Sequence, residues 1–386
     1  MAAAIRNSPF RLVNAIVRKR WILPRQRLRP DLLPGRVPRR DGAPYPRLPQ
    51  FGARLKSATS ARARPGAQAG VFVITRLEPV PQVTIIVPTL NRAAVVQATV
   101  SQLLAQPFRD YELWIIDQSD ETDAVSNRHF VDRVSDHRLH YLFSDVRNLP
   151  NARNEGLART RSEIVLFLDD DVIILADDFI GAHLRAFADP AVGGVVGRHV
   201  ERELTMNSAT TACHVDWSGR TIFNLFGHKR TEVGSCKGSN MSFRMEAVRK
   251  VGGFDRRTSL LEETDFSTRV RKAGWRLVFE PEAELVHLSM PSGGVRSTNV
   301  LATHEQRFRS TGYYIRKHRG IAGVVPFAAV FILIAVKTAI QLRQAPAVLA
   351  LGRALLEGVR EGARPPEDWL PETAQDATGT RCWPLR

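Results

Sequence analysis

The chain has 386 residues, of which 44% are hydrophobic, enough for a full-sized core in one or two domains and too many for a wholly disordered polymer. Charge is unevenly placed: residues 1–76 hold 17 of the 55 Lys and Arg but only Asp31 and Asp41 of the 39 acids, and so carry +15 of the formal +16. Three cysteines (Cys213, Cys236, Cys382) with no C-x-x-C spacing exclude a disulfide framework or a cysteine zinc site and point to a reducing cytoplasm.

Residues 1–81 contain 11 of the 23 prolines, which remove backbone donors and bar helix interiors. They predict a basic, largely extended leader with one short helix around Arg11–Trp21. Its first residues lack the apolar core of a secretory signal, so secretion is not expected. From Val83 the texture changes. VTIIVP at 83–88 has the length and apolarity of a buried strand, and residues 93–106 place Val96, Val100, Leu103 and Leu104 on one helical face. YELWIID at 111–117 is a second buried strand, completing a βαβ unit. LHYLF at 139–143 is a short strand, and a helix follows at about 150–160 with Pro150 in its first turn. IVLFL at 164–168 is a third buried run, ending in three aspartates. Further helices are predicted at 178–188, 246–251 and 262–273, with strands at 194–197 and 276–281. Residues 199–233 lack a period and read as a loop-rich excursion. The class is α/β with an open, mostly parallel, Rossmann-like sheet flanked by helices.

Ligands of such sheets bind beyond the carboxyl ends of the strands. Polar clusters sit at three of these ends: Thr89-Leu90-Asn91, Asp117-Gln118-Ser119 and Asp169-Asp170-Asp171. Turn chemistry accounts for any one of them. Three successive aspartates are harder to explain that way, because mutual repulsion opposes their ionisation unless a cation or donor is present. An oxygen-ligand site for Mg²⁺ or Mn²⁺ would relieve it.

TIIVPTLNR (84–92), IIDQSD (115–120), LPNARNEGLA (149–158), FLDDDV (167–172), GSNMSFR (238–244), VGGFD (251–255), EETDFSTRVRKAGW (262–275) and PEAELVH (281–287) occur in this order. Together they resemble the family 2 glycosyltransferases, nucleotide-sugar enzymes of the GT-A fold, over residues 82–290. The resemblance implies a nucleotide pocket containing Pro88, Thr89, Asn91 and Asp117, with Asp117 accepting from a base N–H. Leu90 stands where members often carry an aromatic, which leaves the nucleotide open, with UDP and dTDP as the first candidates. Arg153 would sit near the pyrophosphate, and Asp169 would share the donor pocket. Asp169, Asp171 and His287 would hold Mg²⁺ or Mn²⁺. The catalytic base would be Glu263, at the aspartate position of the family's Glu-Asp pair, with Glu262 and Asp265 as alternatives. Acids at a helix start also answer the helix dipole, which favours their ionised form.

Beyond residue 290 the sequence predicts a helical region containing the uncharged run GIAGVVPFAAVFILIAV (320–336), interrupted by Pro326 and basic on both flanks. It is at the lower edge of spanning length and fits a span, an interfacial helix or a core helix. With the basic leader it makes a two-signal anchor for an anionic membrane surface. The expected protein is a cytoplasmic, inverting transferase on the inner face of the membrane, with a nucleotide-sugar donor and a lipid-linked or glycan acceptor. A nucleic-acid binder would need basic charge on the folded body, which is nearly neutral. An inactive scaffold of the same fold is the other alternative.

Overall fold

The computed structural model describes residues 80–200, 211–216, 221–258, 260–290, 293–294 and 299–365. The leader, with its expected helix around Arg11–Trp21, lies outside them.

Among the described residues a nine-stranded mixed sheet forms the centre. Strands β1 (Val83–Thr89), β2 (Tyr111–Asp117), β3 (Leu139–Phe143) and β4 (Ile164–Leu168) run parallel in the order β3-β2-β1-β4. β10 (Asn240–Arg244) then pairs antiparallel with both β4 and β6 (Val192–His199). β11 (Arg276–His287) continues parallel to β6 and carries β5 (Val172–Ile174) and β9 (Thr231–Val233) antiparallel on its far side. Six of the nine strands therefore point one way. β1 and β4 are wholly buried, which explains why they read as unbroken Val/Ile/Leu runs rather than alternating ones.

Pro88 breaks the rule against proline in central strands without penalty. The β1–β4 pairing ends at Ile86 and Phe167, so Pro88 faces no donor-requiring neighbour on that side. The two strands part there, and the site opens between their ends.

Helices α1 (Ala93–Leu104), α2 (Glu121–Val134), α3 (Leu149–Leu157) and α4 (Phe179–Ala186) connect the first six strands. α5 (Met245–Val251) and α6 (Glu262–Lys272) lie between β10 and β11. Four aromatic rings, Phe167, Phe243, Phe254 and Phe266, pack edge-to-face, tilted or stacked where β4, β10 and α6 meet. Such pairs add about 0.5–1.5 kcal/mol each beyond simple burial.

Two expectations need correction. The loop-rich reading of 199–233 misses β9 and a separate hairpin, β7 (Thr211–Val215) with β8 (Thr221–Leu225). These strands are too short for a period to show. The strand at 276–281 runs on to His287, because a register shift between Glu280 and Glu284 absorbs Pro281.

The C-terminal region is a helical hairpin: α7 (Val300–Leu342) and α8 (Ala347–Glu361). Gly320 interrupts α7 with φ 68° and ψ −168°, a conformation open to glycine alone. A further bend of 56° separates Val300–Ala328 from Val330–Leu342, just past Pro326, whose missing N–H leaves a helical hydrogen bond unmade. Among the described residues no single helix is long and apolar enough to cross a membrane; this bent pair passes only together. The hairpin packs through Phe308, Phe327, Phe331, Leu351 and Ala354. Gly358 permits the close approach, since a Cβ there would lie 1.9 Å from the Arg309 carbonyl oxygen.

Candidate active site

The aspartate run after β4 is fixed from below by α1. Thr99 Oγ1 donates to the Asp170 carbonyl at 2.5 Å, while Gln102 donates to the Val172 carbonyl at 3.2 Å and accepts from the Ile174 N–H at 2.9 Å. With its backbone held, the run sends its side chains to different partners. Asp170 accepts from Thr89 Oγ1 at 2.7 Å and from Arg92 Nη1 at 2.9 Å. Burial pushes its carboxyl up to about 7 despite the opposing charge of Arg92. Asp171 accepts from the Met290 N–H at 2.8 Å and lies 3.0 Å from His287 Nε2. Burial alone would raise Asp171, but the hydrogen bond and charge of His287, with Met290 and Arg92, hold it below the ordinary range. Asp169 is the most open of the three, 3.6 Å from His287 Nε2 and 3.4 Å from Arg153 Nη2.

Sheet register brings His287 here: it ends β11 opposite Val172, the residue after Asp171. One ligand atom from each of Asp169, Asp171 and His287 falls within 4.8 Å of the others. Two carboxylates and an imidazole could together hold a divalent cation.

Arg153, on α3, is almost fully buried and joins three elements. Nη1 donates to Glu262 at 2.8 Å; Nη2 reaches Asp169 and the Gly238 carbonyl, each at 3.4 Å. Leu261 adopts φ 67°, an uncommon left-handed conformation for a branched residue, and so turns the start of α6 toward the cleft. Glu262 and Glu263 both line it. Glu263 keeps some exposed surface, yet burial, followed by the charge of Glu262, raises its pKa well above the ordinary value. Desolvation thus outweighs the backbone contribution of the helix start, which alone would lower the value.

These groups line one cleft of about 640 Å³ with Pro88, Thr89 and Leu90. Other expected residues lie elsewhere. Asp117 is fully buried and is not among the lining residues; it accepts from the Ser119 N–H, Asn127 Nδ2 and Tyr141 Oη. Asn91 clamps the loop after β2, exchanging two hydrogen bonds with Asp120 and one with Ser119. Asp265 is turned away toward α7, meeting Arg269 Nε at 2.9 Å, His318 Nε2 at 2.8 Å and Lys317 Nζ at 2.7 Å. Its carboxylate is committed to holding helices together, so it is not placed to act as the base.

Sequence reasoning missed three features. Arg92 neutralises the aspartate run, and its position beside TLN at a strand end could have flagged it. Gln118, next to Asp117, is the residue of that loop that lines the cleft. The third is a wall supplied by α7, including His304, Arg307, Phe308 and Phe331. No local pattern announces it.

Residues 84–252 match the family model described as "Glycosyl transferase family 2". Over 257 residues the chain is 26% identical to the uncharacterized protein y4gI of Sinorhizobium fredii, covering 62% of this chain and 28% of that one. Over 241 residues it is 24% identical to the O-antigen chain rhamnosyltransferase RfbN of Salmonella typhimurium, covering 60% and 72%. Among solved structures, the mannosyltransferase PcManGT from Pyrobaculum calidifontis, in complex with GDP-Man and Mn²⁺, is 20% identical with a TM-score of 0.48, covering 74% of this chain and 85% of that one.

Proposed function

As a member of glycosyl transferase family 2, the chain, we propose, is an inverting, metal-dependent enzyme that moves a sugar from a nucleotide diphosphate to an acceptor hydroxyl in cell-envelope glycan or glycolipid synthesis. One observation carries this reading: the Asp169, Asp171 and His287 group and the carboxyl of Glu263 line the same cleft.

Asp169, Asp171 and His287 would hold Mg²⁺ or Mn²⁺, which when bound neutralises charge on a departing diphosphate. Glu263 takes the proton of the acceptor hydroxyl as its oxygen bonds to the anomeric carbon from the face opposite the leaving group. The bond from that carbon to the diphosphate breaks, and its electron pair leaves with the nucleoside diphosphate. A raised pKa makes Glu263 a stronger base once it is ionised. Arg153 pairs with Glu262 and so reduces the repulsion that opposes that ionisation. Leu90 offers the base apolar contact without ring stacking. The donor screen therefore starts with UDP and dTDP sugars.

The enzyme would sit peripherally on the inner face of a membrane. Val325, Leu333 and Ile340 of α7 are 71%, 73% and 71% exposed, with Ile321, Ile332 and Val336 also open, a stripe that repeats at helical spacing. The basic leader supplies attraction to anionic lipid.

The full chain incubated with a panel of nucleotide sugars and Mn²⁺ should release nucleoside diphosphate from one of them, and Asp171→Asn should not. Absence of release across the panel, with either ion and with membrane lipid supplied, would overturn the proposal.

A further inference from the structure

The run GSNMS (238–242), which leads into β10, lies against two fully buried histidines that take no part in the chemistry above. Asn240 Nδ2 donates to the Ala283 carbonyl at 2.9 Å, so Asn240 turns its oxygen to His183 Nε2, 2.8 Å away, which must donate. His183 Nδ1 then accepts from Ser242 Oγ at 2.9 Å. Gly197 makes room for this arrangement, since a Cβ there would lie 2.2 Å from Asn240 Nδ2. The polar side chains of the run are thereby fixed in hydrogen-bond direction as well as in position.

His199 is fixed in the same way, one step nearer the cleft. Its Nδ1 lies 3.1 Å from the Gly197 carbonyl, an atom that only accepts, so Nδ1 carries the proton. Burial, then the charge of Lys237, holds the imidazole well below its ordinary value and keeps it neutral. Nε2 is then a bare acceptor, and Ser239 Oγ, 2.8 Å away, donates to it. The one proton of Ser239 is committed. Its lone pairs remain, and among the described residues no other group bonds to Oγ.

Ser239 lines the cleft beside Gly238, whose carbonyl shares Arg153 Nη2 with Asp169. The other nitrogen of Arg153 holds Glu262, the neighbour of the proposed base, so Ser239 belongs to the part of the cleft that carries both the aspartates and the base. A hydroxyl that only accepts discriminates there by chemistry. It forms no hydrogen bond with a phosphate or carboxylate oxygen, which also only accepts, and it takes an O–H. The O–H groups flanking a diphosphate belong to the ribose and to the transferred sugar, and the transferred sugar is the one that must meet the base.

Resting on the transferase reading of this cleft, we propose that Ser239 accepts a hydrogen bond from one hydroxyl of the transferred sugar and selects for that hydroxyl. His199 is the positioning residue that sets the polarity of Ser239.

Calorimetry on the full chain with Mn²⁺ compares UDP, dTDP and GDP with UDP-glucose, UDP-galactose, dTDP-glucose and GDP-mannose. The tightest sugar donor is then compared with its monodeoxyfluoro analogues, whose fluorine cannot donate. One analogue should bind about three- to tenfold more weakly than its parent, the net worth of one hydrogen bond. Ser239→Ala should weaken the parent by the same factor, bind parent and analogue alike, and leave the sugar-free nucleotide unchanged. His199→Phe frees the Ser239 proton and should narrow the discrimination while the nucleotide still binds. Heteronuclear NMR of the imidazoles in the wild-type chain should find His199 as the Nδ1–H tautomer, a readout that depends on no variant. An Nε2–H tautomer, or equal parent-to-analogue ratios in wild type and Ser239→Ala, would overturn the proposal, and nucleotide binding would still uphold the transferase reading. If no nucleotide binds and His199 keeps the Nδ1–H tautomer, the transferase reading falls and the acceptor-only hydroxyl stands as a site for another O–H ligand.

Discussion

Arg153 and Glu262, 109 residues apart in the chain, meet as a buried ion pair with Nη1 2.8 Å from Oε1. The other guanidinium nitrogen reaches Asp169 at 3.4 Å, so one side chain ties the acid after β4 to the acids of α6. The two ends of the proposed chemistry are held in register by this residue. Arg153→Ala should therefore destabilise the fold by about 3–5 kcal/mol, because it leaves the charge of Glu262 buried and unpaired. In denaturant unfolding, adding Glu262→Gln should recover part of that loss. A single Arg153→Ala variant as stable as the wild type would refute the coupling.

The raised pKa of Glu263, caused first by burial and then by Glu262, has a definite sign. A base works in its ionised form, so turnover should climb with pH along an acid limb displaced above the ordinary glutamate value of about 4.3. Glu263→Gln should abolish that limb along with turnover, with donor affinity nearly unchanged. A limb at the ordinary glutamate value, or a crippled Glu262→Gln beside an active Glu263→Gln, would move the base assignment by one residue.

Removal of a ligand should be visible without any turnover assay. Titrated with Mn²⁺ and followed by electron paramagnetic resonance, Asp171→Asn and His287→Ala should each bind the ion more weakly by over the roughly 10- to 100-fold typical of outer-shell changes. Unaltered Mn²⁺ binding in both variants would remove the metal from these residues.

Asp265 gives a stability prediction. Burial would raise its carboxyl, but Arg269, His318 and Lys317 hold it well below the ordinary range. A depressed carboxylate stabilises the fold above its unfolded value of about 4, and that contribution disappears as pH falls through the folded value. Asp265→Asn should lower stability near neutral pH by about 3 kcal/mol, since Arg269 and His318 lose their carboxylate while Lys317 keeps Asp255. It should also flatten the acid side of the stability profile. Thermal unfolding against pH would show an unchanged profile if the cluster contributes nothing.

Membrane attachment predicts that the full chain floats with anionic liposomes and that high salt releases part of it. Leu333→Glu with Ile340→Glu should reduce flotation without lowering the unfolding temperature, because both side chains are exposed. Deleting residues 1–76 should weaken attachment further. Equal recovery of all forms from the soluble fraction at low salt would contradict it.

The sheet strands that carry the site were legible because burial on both faces demands continuous apolar runs, as in VTIIVP and IVLFL. Helix α2 was not. It buries only Ala124, Asn127 and Phe130, so its sequence is mostly polar and shows no broad apolar face. β7 to β9 escaped notice for a related reason, being defined by their partners rather than by their own few residues.

By itself the sequence determined the order of most elements and the strand ends at which polar chemistry gathers, since these follow from local periodicity and spacing, while Asp169, Asp171, His287 and Glu263 were marked by the family resemblance of its motifs. Tertiary structure decided which of the similar acids face the cleft. Asp117 and Asp265 resemble their neighbours on paper, yet three buried donors claim the first and an ion cluster with α7 claims the second. It also decided that α7 forms a wall of the site. A side chain's partners come from chain segments tens to hundreds of residues away, and desolvation depends on all of them together, so neither the free carboxylate nor its pKa is written in any local pattern.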